Sequence, residues 1–519
     1  MPRVRRIVQN VFSNWVALAV TTLVGFFLSP FVVHHLGNLT YGVWVLTLSF
    51  VSYMNLLDLG LRGAVSRFVT TGAAQGKHDE SSQAVSAALW IRLWISLAII
   101  VAGLVLSVAF HHIFVIPAAL QNDARLAILV TCISVAITLW SGVFGSVLAA
   151  FHRFDLISAV SILQTCFRAA GVVWLLRSGH GILALATWDL CTAIVANSVT
   201  IFLAFRVFPQ LTIAFGRPDG QTVRKLWSYS FYVFLIHIAV QVAYYSDNLV
   251  VGAFLSPAAV TMYAIGGMLI TYARNIITSM TSTFTPLASS YDAVGNYDNL
   301  RRLVLHGTRA ALVIALPIEA ALFFRGNTFI RLWMGDQYAV QSGTVMKILL
   351  LSVLFASANT TSVGIVFGMA KHKRIAFWAI GEAVANLTLS VILVRRMGIY
   401  GVAWGSAIPS VFCELVLWPA YISKLLSIPL RTFLWQTWIR TGLTAVPFTV
   451  ACVVAEHYWP VHSLFMFFVQ IAALLPLVPL SLWLMFRKEL MAQLRLWKER
   501  RNEANRSRNG LEAATTSAG

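Results

Sequence analysis

Fourteen apolar stretches separated by polar punctuation run through this chain, at about 11–33, 40–61, 86–110, 124–150, 155–176, 181–205, 226–254, 258–285, 303–324, 340–368, 375–394, 399–422, 434–456 and 463–486. A stretch of about 20 apolar residues is what a helix needs to cross a bilayer. Hydrocarbon offers the backbone no hydrogen-bond partner, so spanning segments are helices or closed barrels. Runs this long do not fit the ~10-residue alternating strands of a barrel. Of the 519 residues, 58% are hydrophobic and 11% charged, with a mean hydropathy of +0.77. Those values exclude a soluble enzyme, a disordered scaffold and a coiled coil. The chain reads as an all-α polytopic membrane protein with 14 transmembrane helices and no room for a large soluble domain. Arg3, Arg5 and Arg6 precede the first stretch as in a secretion signal. That stretch is long and no small-residue cleavage site follows it, so it reads as an uncleaved first helix.

The net charge of +19 reads as a topology signal. With the N-terminus cytoplasmic, 28 of the 38 Lys and Arg fall in cytoplasmic segments and 6 outside, and four lie within spans. This is a strong positive-inside pattern, and it places both termini in the cytoplasm and points away from nucleic acid. The basic stretch from Arg487 to Arg508 suits an anionic membrane surface. The five cysteines sit singly in apolar runs, without disulfide or metal spacing.

An internal repeat organises the spans. Tyr41 and Tyr263 lie 222 positions apart, Gly76 and Gly295 and also Asp79 and Asp298 lie 219 apart, and Gly181 and Gly401 lie 220 apart. The offset covers six helices, an even number, so the halves share one orientation, as in parallel-repeat carriers. The expected organisation is a six-helix bundle over 1–215 and a second over 216–425. Transmembrane helices 13–14 follow over 426–486, and a basic cytoplasmic tail over 487–519. Two bundles enclosing a cavity form a transporter architecture.

The stretch from His35 through Gly37, Tyr41 and Trp44, with Leu56-Leu-Asp-Leu-Gly-Leu-Arg after it, resembles the second-helix region of polysaccharide flippases. So does Tyr245-Ser-Asp-Asn-Leu, followed by Val260 and Tyr263. These flippases belong to the multidrug/oligosaccharidyl-lipid/polysaccharide (MOP) superfamily. The resemblance implies a MATE-like fold and alternating access. The implied cargo is an undecaprenyl-pyrophosphate-linked oligosaccharide moved to the outer leaflet of a bacterial inner membrane, for O-antigen, capsule or exopolysaccharide synthesis. It implies membrane lipids, a polysaccharide polymerase and export machinery as partners. No cofactor is expected beyond coupling to a sodium or proton gradient.

Ionisable residues inside spans are costly and mark function by default. Arginine binds phosphate oxygens through a forked pair of hydrogen bonds, so Arg62, Arg168 and Arg274 are the candidate pyrophosphate-binding residues. By resemblance, cavity arginines sit on the second and eighth helices, where Arg62 and Arg274 stand. An ion pair with an acid is the competing reading for Arg168 and Arg274, and a cytoplasmic anchor is the competing reading for Arg62. Arg92 is about seven residues into its span and expected to snorkel to the interface. Asp247, Glu382 and Asn386 are the candidate groups for a coupling ion or proton. Glu382 and Asn386 share one face of a helix. Relatives place a cation site between helices seven and eleven, yet counted from the cytoplasmic ends Asp247 and Glu382 differ in depth by roughly 20 Å. His237 is a further proton candidate, with a hydrogen-bonded core histidine as its plainer reading. Gly401 and Gly405 form a small-residue face suited to close helix contact. Two alternatives remain open. One is a cation-coupled multidrug or metabolite exporter, which favours an acidic cavity. The other is a membrane polymerase or glycosyltransferase, which needs a sizeable outer loop. The pattern of a nucleotide-binding, zinc or nucleophile site is not seen.

Overall fold

A computed structural model describes residues 2–58, 61–214, 238, 241–242, 245–281 and 284–487. His237, the start of the expected seventh span, and the tail beyond Arg487 lie outside the described residues. The described chain is built from helices. The first six are α1 (Pro2–Met54), α2 (Leu61–Ala74), α3 (His78–Ile113), α4 (Ala118–Ala150), α5 (Phe154–Arg177) and α6 (Ile182–Val207). After helical residues 245–254 come α7 (Pro257–Thr281), α8 (Phe284–Ala293), α9 (Tyr297–Met334), α10 (Asp336–Gly368), α11 (Lys373–Met397) and α12 (Ile399–Phe412). The last are α13 (Trp418–Leu426), α14 (Leu430–Leu434), α15 (Arg440–Tyr458) and α16 (Leu464–Leu474). Single π-helical turns, Cys413–Leu417 and Trp435–Ile439, join α12 to α13 and α14 to α15.

Among the described residues, 11 helical segments are long and apolar enough to cross a membrane. They cover twelve of the fourteen expected spans, because α1 carries the first two across a kink at Gly37, whose φ is +74°. The expected eighth span appears as α7, a 25-residue helix. Exposure shows what surrounds the helices. Leu93, Trp94, Leu97, Val101, Leu104, Val105 and Val108 are all exposed on α3 while Ile99 is fully buried. In water so long an apolar stripe is a liability; against lipid it is the favoured surface.

The repeat recurs in the backbone. Gly76 and Gly295 both have φ near +70°. The same two hydrogen bonds close both turns: Gly76 N–H to Ala73 O and Lys77 N–H to Gly72 O, then Gly295 N–H to Asp292 O and Asn296 N–H to Tyr291 O. Each donor and acceptor is displaced by 219 positions. Gly179 and Gly398 are likewise 219 apart, and His152 and Ala370 are 218 apart; all four have positive φ. At the first site glycine removes the Cβ clash of the left-handed region.

The chain packs as two units that interleave along the sequence. The first comprises Met1–Arg274, Trp333–Val353 and Met369–Leu417, the second Asn275–Leu332, Leu354–Gly368 and Trp418–Gly519. In the first, Val65 and Val69 of α2, Val85 and Leu89 of α3, Phe144 and Val147 of α4 and Ala204 of α6 share one core. The helices α11 and α12 form a tight antiparallel hairpin. A Cβ on Gly401 would lie 2.2 Å from Leu393 O, and one on Gly405 2.5 Å from Ser390 N. The small-residue face is a close backbone approach, as its spacing implied.

In the second unit Phe448, Cys452 and Val478 form a core with Val313, Ala320 and Ile471. One expectation is corrected here. The segment 325–339, which the apolar stretches leave as a link between the ninth and tenth spans, is helix on both sides of Gly335. The helix continues there with Arg325 and Thr328 both bonded to Glu456. Overpacking a filled contact costs about 1–3 kcal/mol. Gly405→Ala should therefore lower the thermal unfolding midpoint in detergent by several degrees. Gly381→Ala, whose Cβ meets nothing within 4 Å, should leave that midpoint unchanged.

Candidate functional site

The break between α1 and α2 supplies the first charged group. A 3-10 turn, Asn55–Asp58, ends in Asp58, and α2 then carries Arg62 one turn on. Arg62 Nε lies 3.6 Å from Asp58 Oδ2, with 56% of the arginine side chain exposed. From α3, Arg92 donates to Asp58 Oδ1 and to Leu139 O. Arg92 is only 1% exposed. The interfacial snorkel expected for Arg92 is thus corrected. Residues 78–85, which precede the apolar run, are helical, so α3 starts at His78 and Arg92 sits two turns further along its helix than that run implied. Gly142 of α4 makes room for both cations: a Cβ there would lie 2.9 Å from Arg92 Nη1 and 3.3 Å from Arg62 Nη2.

Arg168 of α5 makes a two-pronged pair with Asp189 of α6, at 2.7 and 2.8 Å. Its charge is cancelled locally, as the ion-pair reading had it. Arg274, on α7, is half-buried and its charge reaches Glu382 of α11.

The acids assemble around α12. Asp247 Oδ2 accepts hydrogen bonds from Tyr263 Oη at 2.6 Å and Ser406 Oγ at 2.7 Å. Asp247 is 5% exposed, and its Oδ1 is buried with no hydrogen-bond donor among the described residues. Glu382 is hydrogen-bonded by Ser410 and Cys413. Ser406 and Ser410 are one turn apart, about 6 Å along the helix. The roughly 20 Å separation inferred from span ends is therefore corrected. The turns at Leu255 and Gly398 are at one level, since the Arg395 guanidinium lies 5.5 Å from the Phe254 ring centroid. Counted from those turns the two acids differ by 8 residues, about 12 Å, and their side chains close part of that. The hairpin register, with Gly405 against Ser390, sets Asn386 within a turn of the level of Ser406. Asn386 is 3% exposed. A carboxylate, an amide and hydroxyls are the hard oxygen donors that a sodium ion or proton favours.

Sequence reasoning missed Asp58, Tyr263 and Ser406 as partners, and the burial of Arg92. The i, i+4 spacing of Asp58 and Arg62 was readable; the rest depends on contacts between distant helices. Missed too was Arg325 of α9, in the second unit. It is fully buried, its Nε donates to Glu456 Oε2 at 3.1 Å and its guanidinium lies 5.0 Å from the Phe467 ring centroid. Thr328 donates to the other Glu456 oxygen. This arrangement ties α9 to α15 and α16. Among the described residues no three His, Cys, Asp or Glu side chains cluster as a metal site.

A polytopic helical protein with repeated turns and charged groups buried among its helices has the architecture of a membrane transporter. Its fold is like that of the lipid II flippase MurJ in an inward-closed conformation, with a TM-score of 0.72 at 14% identity over 93% of this chain and all of that one. The profile of the polysaccharide biosynthesis protein family matches residues 7–292, and the chain belongs to that family. The MatE profile matches residues 233–392. Among curated relatives, the uncharacterized membrane protein EpsK of Bacillus subtilis is 21% identical over 82% of this chain and 85% of its own. A putative O-antigen transporter of Shigella flexneri is 20% identical over 79% and 96%.

Removing one partner of a buried pair leaves a charge without compensation, at a cost of about 3–5 kcal/mol, whereas replacing both by apolar residues is often neutral. Glu456 is 33% exposed, which favours the low end. Arg325→Met should depress the unfolding midpoint strongly, and Arg325→Met with Glu456→Leu should recover most of it.

Proposed function

We propose that this protein is a flippase that carries a polyprenyl-pyrophosphate-linked oligosaccharide from the cytoplasmic to the outer leaflet of a bacterial inner membrane. It works by alternating access of two six-helix bundles, 1–215 and 216–425, and feeds cell-surface polysaccharide synthesis. The observation that carries this reading is the set of arginines carried by the apolar helices of the first unit, above all the half-buried Arg274. An intramembrane cation is retained where it meets an anion, and a pyrophosphate is the anion such a lipid brings. Arg62 and Arg274 take its oxygens. Arg168, neutralised by Asp189, holds α5 against α6. The names of the relatives support the same class of cargo and a transporter instead of an enzyme. The concentration of basic residues in alternate links between spans supports a cytoplasmic position for both termini. Polymerase and export machinery are the partners that would use the delivered lipid.

Asp247, with Ser406 bonded to it, Asn386 within a turn of that level and Glu382 of α11 bonded to the serine one turn further along α12, is the proposed coupling group. Its free Oδ1 takes a sodium ion or a proton, and the carboxylate's partners on α7 and α12 make the packing of those two helices sensitive to its charge. A cation-coupled drug exporter is the second reading; the arginines disfavour it, because a cationic cargo would be repelled. A polymerase is disfavoured by the short links between described helices, such as 114–117 and 178–181.

The test is transfer of a labelled polyprenyl-pyrophosphate oligosaccharide between leaflets of reconstituted vesicles, under imposed sodium or proton gradients. Gradient-accelerated transfer is expected; no transfer, together with efflux of a cationic dye, would overturn the reading. Arg274→Ala should cut transfer at least about tenfold, the effect of losing one charge-assisted phosphate contact, with membrane insertion intact. Asp247→Asn should abolish the gradient's acceleration while the lipid still binds, and acceleration at the wild-type level would remove Asp247 from the coupling role.

A further inference from the structure

Asp58 lies between two guanidinium groups that are not equivalent. Arg92 reaches it from the interior, directly hydrogen-bonded and 1% exposed, with a second hydrogen bond to Leu139 O. Arg62 stands off at 3.6 Å with more than half of its side chain exposed. Both lie against the bare backbone of Gly142. Two cations and one anion leave a net charge of +1, and the dielectric decides where it appears. A buried pair attracts more strongly than a loose solvated one, and a buried arginine without its acid is strongly disfavoured. Arg92 therefore claims the Asp58 charge.

We propose that Arg92 and Asp58 are positioning residues for anion capture: Arg92 neutralises Asp58, which leaves the Arg62 guanidinium beside it uncompensated and available to the phosphate oxygens of the lipid cargo. The assignment rests on the flippase reading and adds to it a charge relay reaching Arg62 from α3. In the absence of Arg92, Asp58 turns to Arg62 one helical turn away, and the local charge falls to zero. Asp58 also tethers the start of α2, so Arg62 meets the anion from a fixed base, which lowers the cost of ordering a long side chain.

The experiment measures binding of undecaprenyl pyrophosphate to the full-length protein in nanodiscs, across a salt series, alongside leaflet transfer. Arg92→Leu should weaken binding about tenfold, as Arg62→Ala does, and flatten its salt dependence. Arg92→Leu with Asp58→Asn restores the +1 and should bring binding and its salt slope back to within about threefold of wild type. Recovery by removing a second group is not what a direct ligand or a packing residue would show. If Arg92→Leu does not insert, Asp58→Asn alone carries the test. It raises the local charge to +2 and should tighten binding and steepen its salt slope. A double variant as weak as Arg92→Leu, wild-type binding by Arg92→Leu, or weakened binding by Asp58→Asn would overturn the assignment. Failure of the wild-type protein to bind this lipid would instead sink the flippase reading, and the assignment with it.

Discussion

A hydrocarbon interior supplies neither hydrogen bonds nor counter-ions, and the architecture of this protein follows from that. Backbone groups satisfy one another within helices, and the described spans extend well past the ~20 residues a bilayer needs. Charged side chains meet the same condition through neighbouring helices. Arg92 finds Asp58, Arg168 finds Asp189 and Arg325 finds Glu456. Each pair joins two separate helical elements, so neutralising a charge also ties one to another.

The pairs are unequal in what they leave over. Arg168 and Asp189 cancel. Arg325 and Glu456 cancel within the second unit and bind α9 to the last two helices. The Arg92–Asp58–Arg62 group does not cancel, and its surplus lies on the most exposed of the three. Arg274 and Glu382 differ again, since the acid is also held by Ser410 of α12 and by Cys413 of the π-helical turn that follows it. Helix α12 carries hydroxyls one turn apart toward both Asp247 and Glu382, so one rigid element touches both proposed coupling acids. Gly405 lets α12 press against α11, which keeps Asn386 near the same level.

The repeat was readable because its landmarks are turns. A helix end that needs a left-handed residue leaves a glycine in the sequence, and Gly76 and Gly295 have the same φ and the same closing hydrogen bonds. Tyr41 and Tyr263 were also legible as a pair, but the role of Tyr263 as donor to Asp247 was not. Helix ends were read short wherever polar residues continued a helix, as before Arg92 and around Arg325. Hydropathy reports which residues favour lipid, and helices continue through polar turns that make their own hydrogen bonds.

By itself the sequence determined a polytopic helical protein with repeated turn signals, basic residues concentrated between its spans and a short set of charges within them. Those properties are set by local composition and periodicity, which each span carries within its own 20 residues. Only the tertiary structure decided which arginine is neutralised and which stays charged, and how near Asp247 comes to Glu382. Those outcomes depend on distances between helices tens to hundreds of residues apart, and on burial, which sets the dielectric in which each pair of charges meets.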